Sequence, residues 1–256
     1  MTIALFPTTL DSGPRHLMGV EGANILNTPG LREVRTNVAQ LIAKGGVILI
    51  DGKPGVGKTF STHEVLADLK VNVYWADMPD TPKGKEAIAR IFTAVTGRRP
   101  AMRMTGYELM EETIDVLDDR QGVLVIDEAQ NMTQSAQRAL RFLHDRPSTR
   151  MLFILIGSGV ANTVRGVPEL DSRVSRRSTI KELAGGDLRS KLKELHPLLA
   201  ATDEKVLYAL AEYAKGNLRN WARVLEVAGS FGVDAARGID ATQAKFIIRS
   251  ITGGVK

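Results

Sequence analysis

The chain has 256 residues, 43% of them hydrophobic and 25% charged, with a formal net charge of +5 at pH 7. No apolar run approaches the roughly 20 residues that span a bilayer, and the first residues lack a basic stretch leading into a long apolar one, so the reading is of a cytoplasmic chain with no membrane segment and no secretory leader. Cysteine is absent, which excludes disulfides, thiolate metal sites and thiol nucleophiles, while the basic excess is compatible with an anionic partner such as nucleic acid.

Residues 1–27 mix Pro, Gly, Thr and Asn without periodicity and read as an irregular arm. "NTPGLREVRTNVAQLIAKGG" follows as a helix, with Thr28 placed to cap it, Pro29 in its first turn, and Gly45 and Gly46 to end it. Apolar runs then alternate with helical stretches. "VILID" (47–51) is the first strand, and after a glycine loop "TFSTHEVLADLK" reads as a helix. "VNVYWA" (71–76) is the second strand, and "GKEAIARIFTAVTG" a helix closed by Gly97. "TGYELMEETIDVLDD" starts with Thr105 and Glu108 at capping-box spacing. "GVLVID" (122–127) and "MLFILIG" (151–157) are the third and fourth strands, and "STIKEL" (178–183) a shorter fifth candidate. Apolar strands separated by helices predict an α/β domain whose parallel sheet is covered on both faces. After Gly185 and Gly186 the strand signals stop and four short helices follow, so the expected division is an arm (1–27), an α/β domain (28–185) and a helical domain (186–256).

"GKPGVGKT" (52–59) fits G-x-x-x-x-G-K-[ST] between a strand and a helix, the context that motif needs. Gly52, Gly55 and Gly57 let the backbone curl so that N–H groups face phosphate oxygens, and the next helix adds its positive end. Lys53, Pro54, Val56 and Phe60 complete the candidate cradle. Lys58 would bridge the β- and γ-phosphates of ATP, and Thr59 would offer its hydroxyl to Mg2+. In "GVLVIDEAQ" (122–130), a buried strand carries Asp127 to its end as the second Mg2+ residue, and Glu128 is the candidate base for the attacking water. One further strand, 71–76, lies between the two motifs, the pattern of P-loop proteins whose acidic motif sits on a non-adjacent strand. A guanine-reading N-K-x-D is absent, and a Glu directly after the aspartate suits water activation.

Together with "LIGS", "DSRVSRR" and "GNLRNW", these motifs make residues 28–250 resemble the AAA+ ATPases, and among them the transposition-regulator ATPases. The resemblance implies a five-stranded parallel sheet followed by a small helical lid. It implies that Ser158 senses the γ-phosphate, although a serine there also fits a helix cap. Arg173 matches the arginine finger that one subunit lends its neighbour's ATP, which demands a ring or helical filament of identical chains; a solvated basic turn or a bridge to Asp171 is the alternative. Arg176 and Arg177 stay open between phosphate, interface and solvent. Arg219 matches the second sensor, reaching the γ-phosphate of its own chain. Related regulators hold duplex DNA through loops after strand two, which assigns contacts with phosphate to Thr81, Lys83, Lys85, Arg98, Arg99 and Arg103. The implied function is an ATPase, slow on its own, that binds double-stranded DNA largely without regard to sequence, oligomerises on it, and marks target DNA for a transposase. The alternatives are a helicase-loader-like ATPase and a scaffold that binds ATP without hydrolysing it; Glu128 argues against the scaffold.

Overall fold

The computed structural model describes residues 16–69, 71–118, 121–146 and 150–253. Residues 1–15 of the expected arm lie outside them. The described chain falls into two compact units: Pro29–Gly52 with Ser61–Ile180, and 16–28 with Lys53–Phe60 and the residues from Lys181 onward.

The first unit is built on five strands: β1 (Gly46–Asp51), β2 (Val73–Asp77), β3 (Gln121–Asp127), β4 (Arg150–Gly157) and β5 (Val174–Thr179). Their order is β2-β3-β4-β1-β5, and every pairing is parallel. The four inner residues of β1 are all at most 1% exposed, as expected for a strand covered on both faces. Alternation splits them: Val47 and Leu49 join one core with Ile91 of α3 (Gly84–Thr96), Leu109 of α4 (Gly106–Asp118) and Leu140 of α5 (Gln134–His144). Ile48 and Ile50 point the other way, where α1 (Pro29–Leu41) packs on β1 and β5. Register puts Asp51 opposite Gly157 and Thr179, and Asp77 opposite Asp127. The carboxyl ends of the strands therefore share one edge, where open α/β sheets bind ligands. β1 and β3 both border β4, so the two motif-bearing strands are not adjacent, as the spacing implied.

The fifth strand differs from expectation. It spans 174–179 rather than 178–183, because Ile180 marks its end: the Ile180 N–H donates to the Asp51 carbonyl at 2.8 Å, and the chain then leaves the sheet. β5 is an edge strand of polar composition, so its pairing with β1 rather than an apolar run defines it. Thr105 and Glu108 do form the reciprocal box at the start of α4: Thr105 N–H reaches Glu108 Oε2 at 2.7 Å, and Glu108 N–H reaches Thr105 Oγ1 at 3.2 Å. That backbone hydrogen bond holds the Glu108 carboxyl below its ordinary pKa, with the Thr105 hydroxyl assisting. Two short helices, α6 (Val160–Arg165) and α7 (Pro168–Asp171), lie between β4 and β5.

In the second unit, α8 (Gly185–Leu195), α9 (Pro197–Ala201), α10 (Glu204–Ala214), α11 (Leu218–Ser230) and α12 (Ala241–Thr252) enclose a core that includes Leu199, Leu210, Trp221, Val224 and Ile247. The four helices expected here are five, because Pro197 breaks the first of them, "DLRSKLKELHPLL", in two. The residue before a proline is pushed out of the helical region, and His196 sits at φ −157°, ψ 140°, where its Nδ1 accepts from the Leu198 N–H at 3.1 Å and caps α9. Trp221 is fully buried and donates its indole N–H to the Lys215 carbonyl at 2.6 Å.

Candidate nucleotide site

The phosphate loop belongs to the second unit. Gly55 and Gly57 have φ of 82° and 92°, backbone that side chains strongly disfavour. α2 (Lys58–Ala67) begins at the loop's last turn. The Lys58 ammonium donates to the Lys53 carbonyl at 3.0 Å, across the concavity, and Lys53 itself pairs with Glu182 at 2.9 Å. Val56 is buried. Phe60, just beyond Thr59, packs on the His16 ring at 4.8 Å between centroids.

The same unit ties this loop to the start of α11. Asn217 caps α11 by accepting from the N–H groups of Arg219 (3.1 Å) and Asn220 (3.3 Å), and its Nδ2 donates to the Pro54 carbonyl at 2.9 Å. The Arg219 N–H reaches the Gly55 carbonyl at 3.2 Å. A Cβ on Gly55 would lie 2.3 Å from Asn217 Oδ1 and 2.9 Å from the Arg219 Cβ, so the close approach requires glycine twice over. The Arg219 guanidinium is exposed and has no ion pair among the described residues, which suits a group awaiting an anion.

In the first unit, Asp127 ends β3 at 9% exposure and accepts from the Glu128 N–H at 2.9 Å. Glu128 follows in the left-handed region, φ 52°, ψ 35°, a conformation that costs a non-glycine residue about 1 kcal/mol. The twist turns its carboxylate to the surface, where Gln130 Nε2 donates to Oε2 at 2.5 Å. The Gln130 Oε1 in turn accepts from the Ser158 N–H at 3.1 Å. Gln130 thus bridges the candidate base and the candidate sensor turn, and the motif "DEAQ" carried it without marking it as functional. Ser158 does not serve α6 as a side-chain cap; Gly159 holds the cap position. Asp51 was also unmarked. Its carboxylate collects the N–H groups of Gly52 (2.6 Å), Gly159 (2.9 Å) and Ala161 (3.0 Å), pinning the turn that presents Ser158 to the end of β1.

The three arginines near β5 have separate partners. Arg173 forms a two-pronged pair with Asp145, the residue that closes α5: Nε to Oδ1 at 2.7 Å and Nη2 to Oδ2 at 3.0 Å. That pair, with His144 and with Arg141 at 2.7 Å, holds the Asp145 carboxyl well below the usual carboxylate range. The expected alternative partner of Arg173, Asp171, is taken by Arg177 at 2.6 Å, and Arg176 Nε donates to Gln40 Oε1 at 3.2 Å. Arg176 and Arg177 lie inside β5 rather than before it.

The candidate DNA contacts are also in the first unit. Thr81 (φ 49°) and Lys83, the residue before α3, are exposed. Lys85 is exposed, but its ammonium donates to the Met104 carbonyl, which makes it a brace for the α3–α4 connection. Arg98, Arg99 and Arg103 are exposed in that connection.

A five-stranded parallel sheet in this order, with a glycine loop following β1 in the chain and an acidic pair at the end of β3, is the α/β fold found in P-loop AAA domains. Comparison with known proteins gives the same class: residues 42–164 match the AAA domain family. The chain is 25% identical over 186 residues to a replication factor C small subunit of Staphylothermus marinus, covering 72% of this chain and 52% of that protein. It is 25% identical over 202 residues to replication factor C small subunit 2 of Pyrobaculum aerophilum, covering 78% and 59%. The chain thus spans between half and three fifths of the length of these relatives. Among solved structures, the Aeropyrum pernix ORC2 protein (ADPNP-ADP complexes) superposes with a TM-score of 0.64 at 16% identity, covering 93% of this chain and 72% of that one. The Thermotoga maritima RuvB Holliday junction branch migration motor does so with a TM-score of 0.59 at 15% identity, covering 88% and 72%. The Aeropyrum pernix ORC1 protein in complex with DNA gives 0.64 at 16% identity, covering 94% and 69%.

Proposed function

We propose that the protein is an ATPase that binds double-stranded DNA largely independently of sequence, oligomerises on it, and marks target DNA for a transposase. The observation that carries the ATPase part is the loop of left-handed glycines clipped at Pro54 and Gly55 to the helix that bears the unpaired Arg219. A triphosphate bound there would draw Arg219 onto its end and so report itself to the helical unit. Lys58 would exchange the Lys53 carbonyl for phosphate oxygens. Thr59 and Asp127 would hold Mg2+, which supplies charge neutralisation on the phosphates. Glu128 would take the proton of the attacking water, oriented through Gln130, and the Ser158 turn would register the terminal phosphate. Arg173 would neutralise charge developing on a neighbouring chain's phosphate, leaving Asp145 on assembly. Slow turnover by the isolated chain follows, since that cation is then missing from its own site. The experiment is phosphate release with Mg2+-ATP, with and without duplex DNA. DNA is expected to accelerate it, and Glu128→Gln to bind ATP yet release no phosphate. Release by Glu128→Gln at the unaltered rate would remove Glu128 as the base, and no release even by the unaltered chain would leave only a nucleotide-dependent scaffold.

A second reading is a loader of replication proteins onto DNA. The identity to replication factor C small subunits favours it. Affinity capture on the ATP-bound Glu128→Gln chain separates the two, a transposase supporting the first and a helicase the second.

A further inference from the structure

The connection between α3 and α4 is held more firmly than a simple link needs. α3 closes on Gly97, whose N–H returns to the Thr93 carbonyl, and the Thr96 hydroxyl accepts from the Arg98 N–H at 3.1 Å. The Met104 N–H bonds back to the Ala101 carbonyl at 3.1 Å, which makes a turn with Met102 and Arg103 at its corner. Lys85 fastens the Met104 carbonyl, and the Thr105–Glu108 box starts α4 at the next residue. The corner is therefore braced on both sides. What it presents is Met102, at 101% relative exposure, with Tyr107 at 74% in the first turn of α4. Arg98, Arg99 and Arg103 are exposed in the same connection, and none of them has an ion pair among the described residues, whereas Arg35, Arg141, Arg146, Arg173 and Arg177 all do.

A methionine that touches nothing adds nothing to folded stability, yet the backbone beneath it is fixed. A fixed apolar tip among free guanidiniums fits a partner that carries anionic groups and apolar surface within one side chain's reach of each other. Duplex DNA does: phosphates line the grooves, and base and sugar edges form their floors. We infer that Met102 enters the minor groove as an apolar wedge while Arg98, Arg99 and Arg103 hold the flanking phosphates. This rests on the duplex-DNA reading above and adds to it a contact that salt does not screen.

The two kinds of contact separate by salt. The test is anisotropy of the full chain with Mg2+ and a non-hydrolysable ATP analogue, on a labelled duplex carrying 2-aminopurine, across a salt series. Arg98→Ala and Arg99→Ala are each expected to lower the slope of log affinity against log salt by roughly 0.9. Met102→Ala should weaken binding about tenfold at every salt, the loss of one buried side chain, with the slope unchanged. It should also abolish the 2-aminopurine fluorescence rise that unstacking produces, and Met102→Leu should restore both. If Met102→Ala matches the unaltered chain in affinity and fluorescence while binding stays steeply salt-dependent, the wedge is wrong and the DNA reading stands. If the unaltered chain binds no duplex, that reading falls and takes the wedge with it. If Met102→Ala loses binding to phosphatidylserine vesicles while duplex binding is unchanged, the turn is a lipid contact and the inference is overturned.

Discussion

Asn217 does two things with one side chain, and they can be taken apart. Its Oδ1 caps α11 and its Nδ2 donates to the Pro54 carbonyl of the phosphate loop. Removing a cap costs about 1 kcal/mol, and losing a hydrogen bond of this kind about 1 kcal/mol more. Asn217→Ala forfeits both, about 2 kcal/mol, which lowers the Tm of a chain of this size by roughly 4–8 °C. Asn217→Asp keeps the cap, since Asp and Asn serve equally there, and its charge suits the helix's positive end. It replaces the donor, however, with an oxygen facing a carbonyl oxygen. The Asp variant is therefore expected to lose no more than about 2–4 °C of Tm, half the loss of Asn217→Ala, yet to bind a fluorescent ATP analogue at least about fivefold more weakly, the equivalent of 1 kcal/mol. Differential scanning fluorimetry and a binding titration give both numbers. If Asn217→Asp binds nucleotide as tightly as the unaltered chain, the clip from α11 to the loop does not shape the phosphate site.

Three further outcomes follow from the geometry. A Cβ on Gly157 would sit 2.0 Å from Gln130 Oε1; Gly157→Ala should swing that amide away from Glu128 and Ser158, lowering kcat for ATP severalfold or more while KM moves little, as steady-state kinetics would record. Trp221→Ala empties a fully buried site and frees the Lys215 carbonyl. It should cost about 3–5 kcal/mol and, read by thermal melting and hydrogen exchange, unfold the helical unit first. Asp145 has its carboxyl pKa depressed by Arg173, so it contributes stability above its unfolded value of about 3.9 and loses it only as pH falls through the folded value. The Tm difference between the unaltered chain and Asp145→Asn should therefore be flat from pH 5 to 8 and shrink below about pH 4.

What was legible in the sequence was whatever depends on near neighbours. The inner residues of β1, β3 and β4 are apolar because both faces of these strands are covered, and such strands announce themselves. The phosphate loop did so because its glycines and lysine must be close in the chain. The Thr105–Glu108 box is likewise a three-residue matter. Partners far along the chain were not legible. Arg173 and Asp145 are 28 residues apart, Asn217 and Pro54 are 163 apart, and Asp51 meets Gly159 and Ala161 only after three strands intervene. Gln130 was visible but mute, since a glutamine acquires its meaning from what each end of its amide faces. β5 was misplaced by four residues because its pairing, and not its hydrophobicity, makes it a strand.

That polar β5 closes one side of the sheet with a row of backbone groups on which another chain could align. Arg176 and Arg177 stand exposed along it, so an approaching strand meets positive charge before it meets a hydrogen-bonding partner. Crowding of copies on a shared polymer raises their local concentration to levels at which unguarded rims fuse into fibres. In the DNA-bound assembly proposed above, basic side chains on this rim would let the copies stand shoulder to shoulder without doing so.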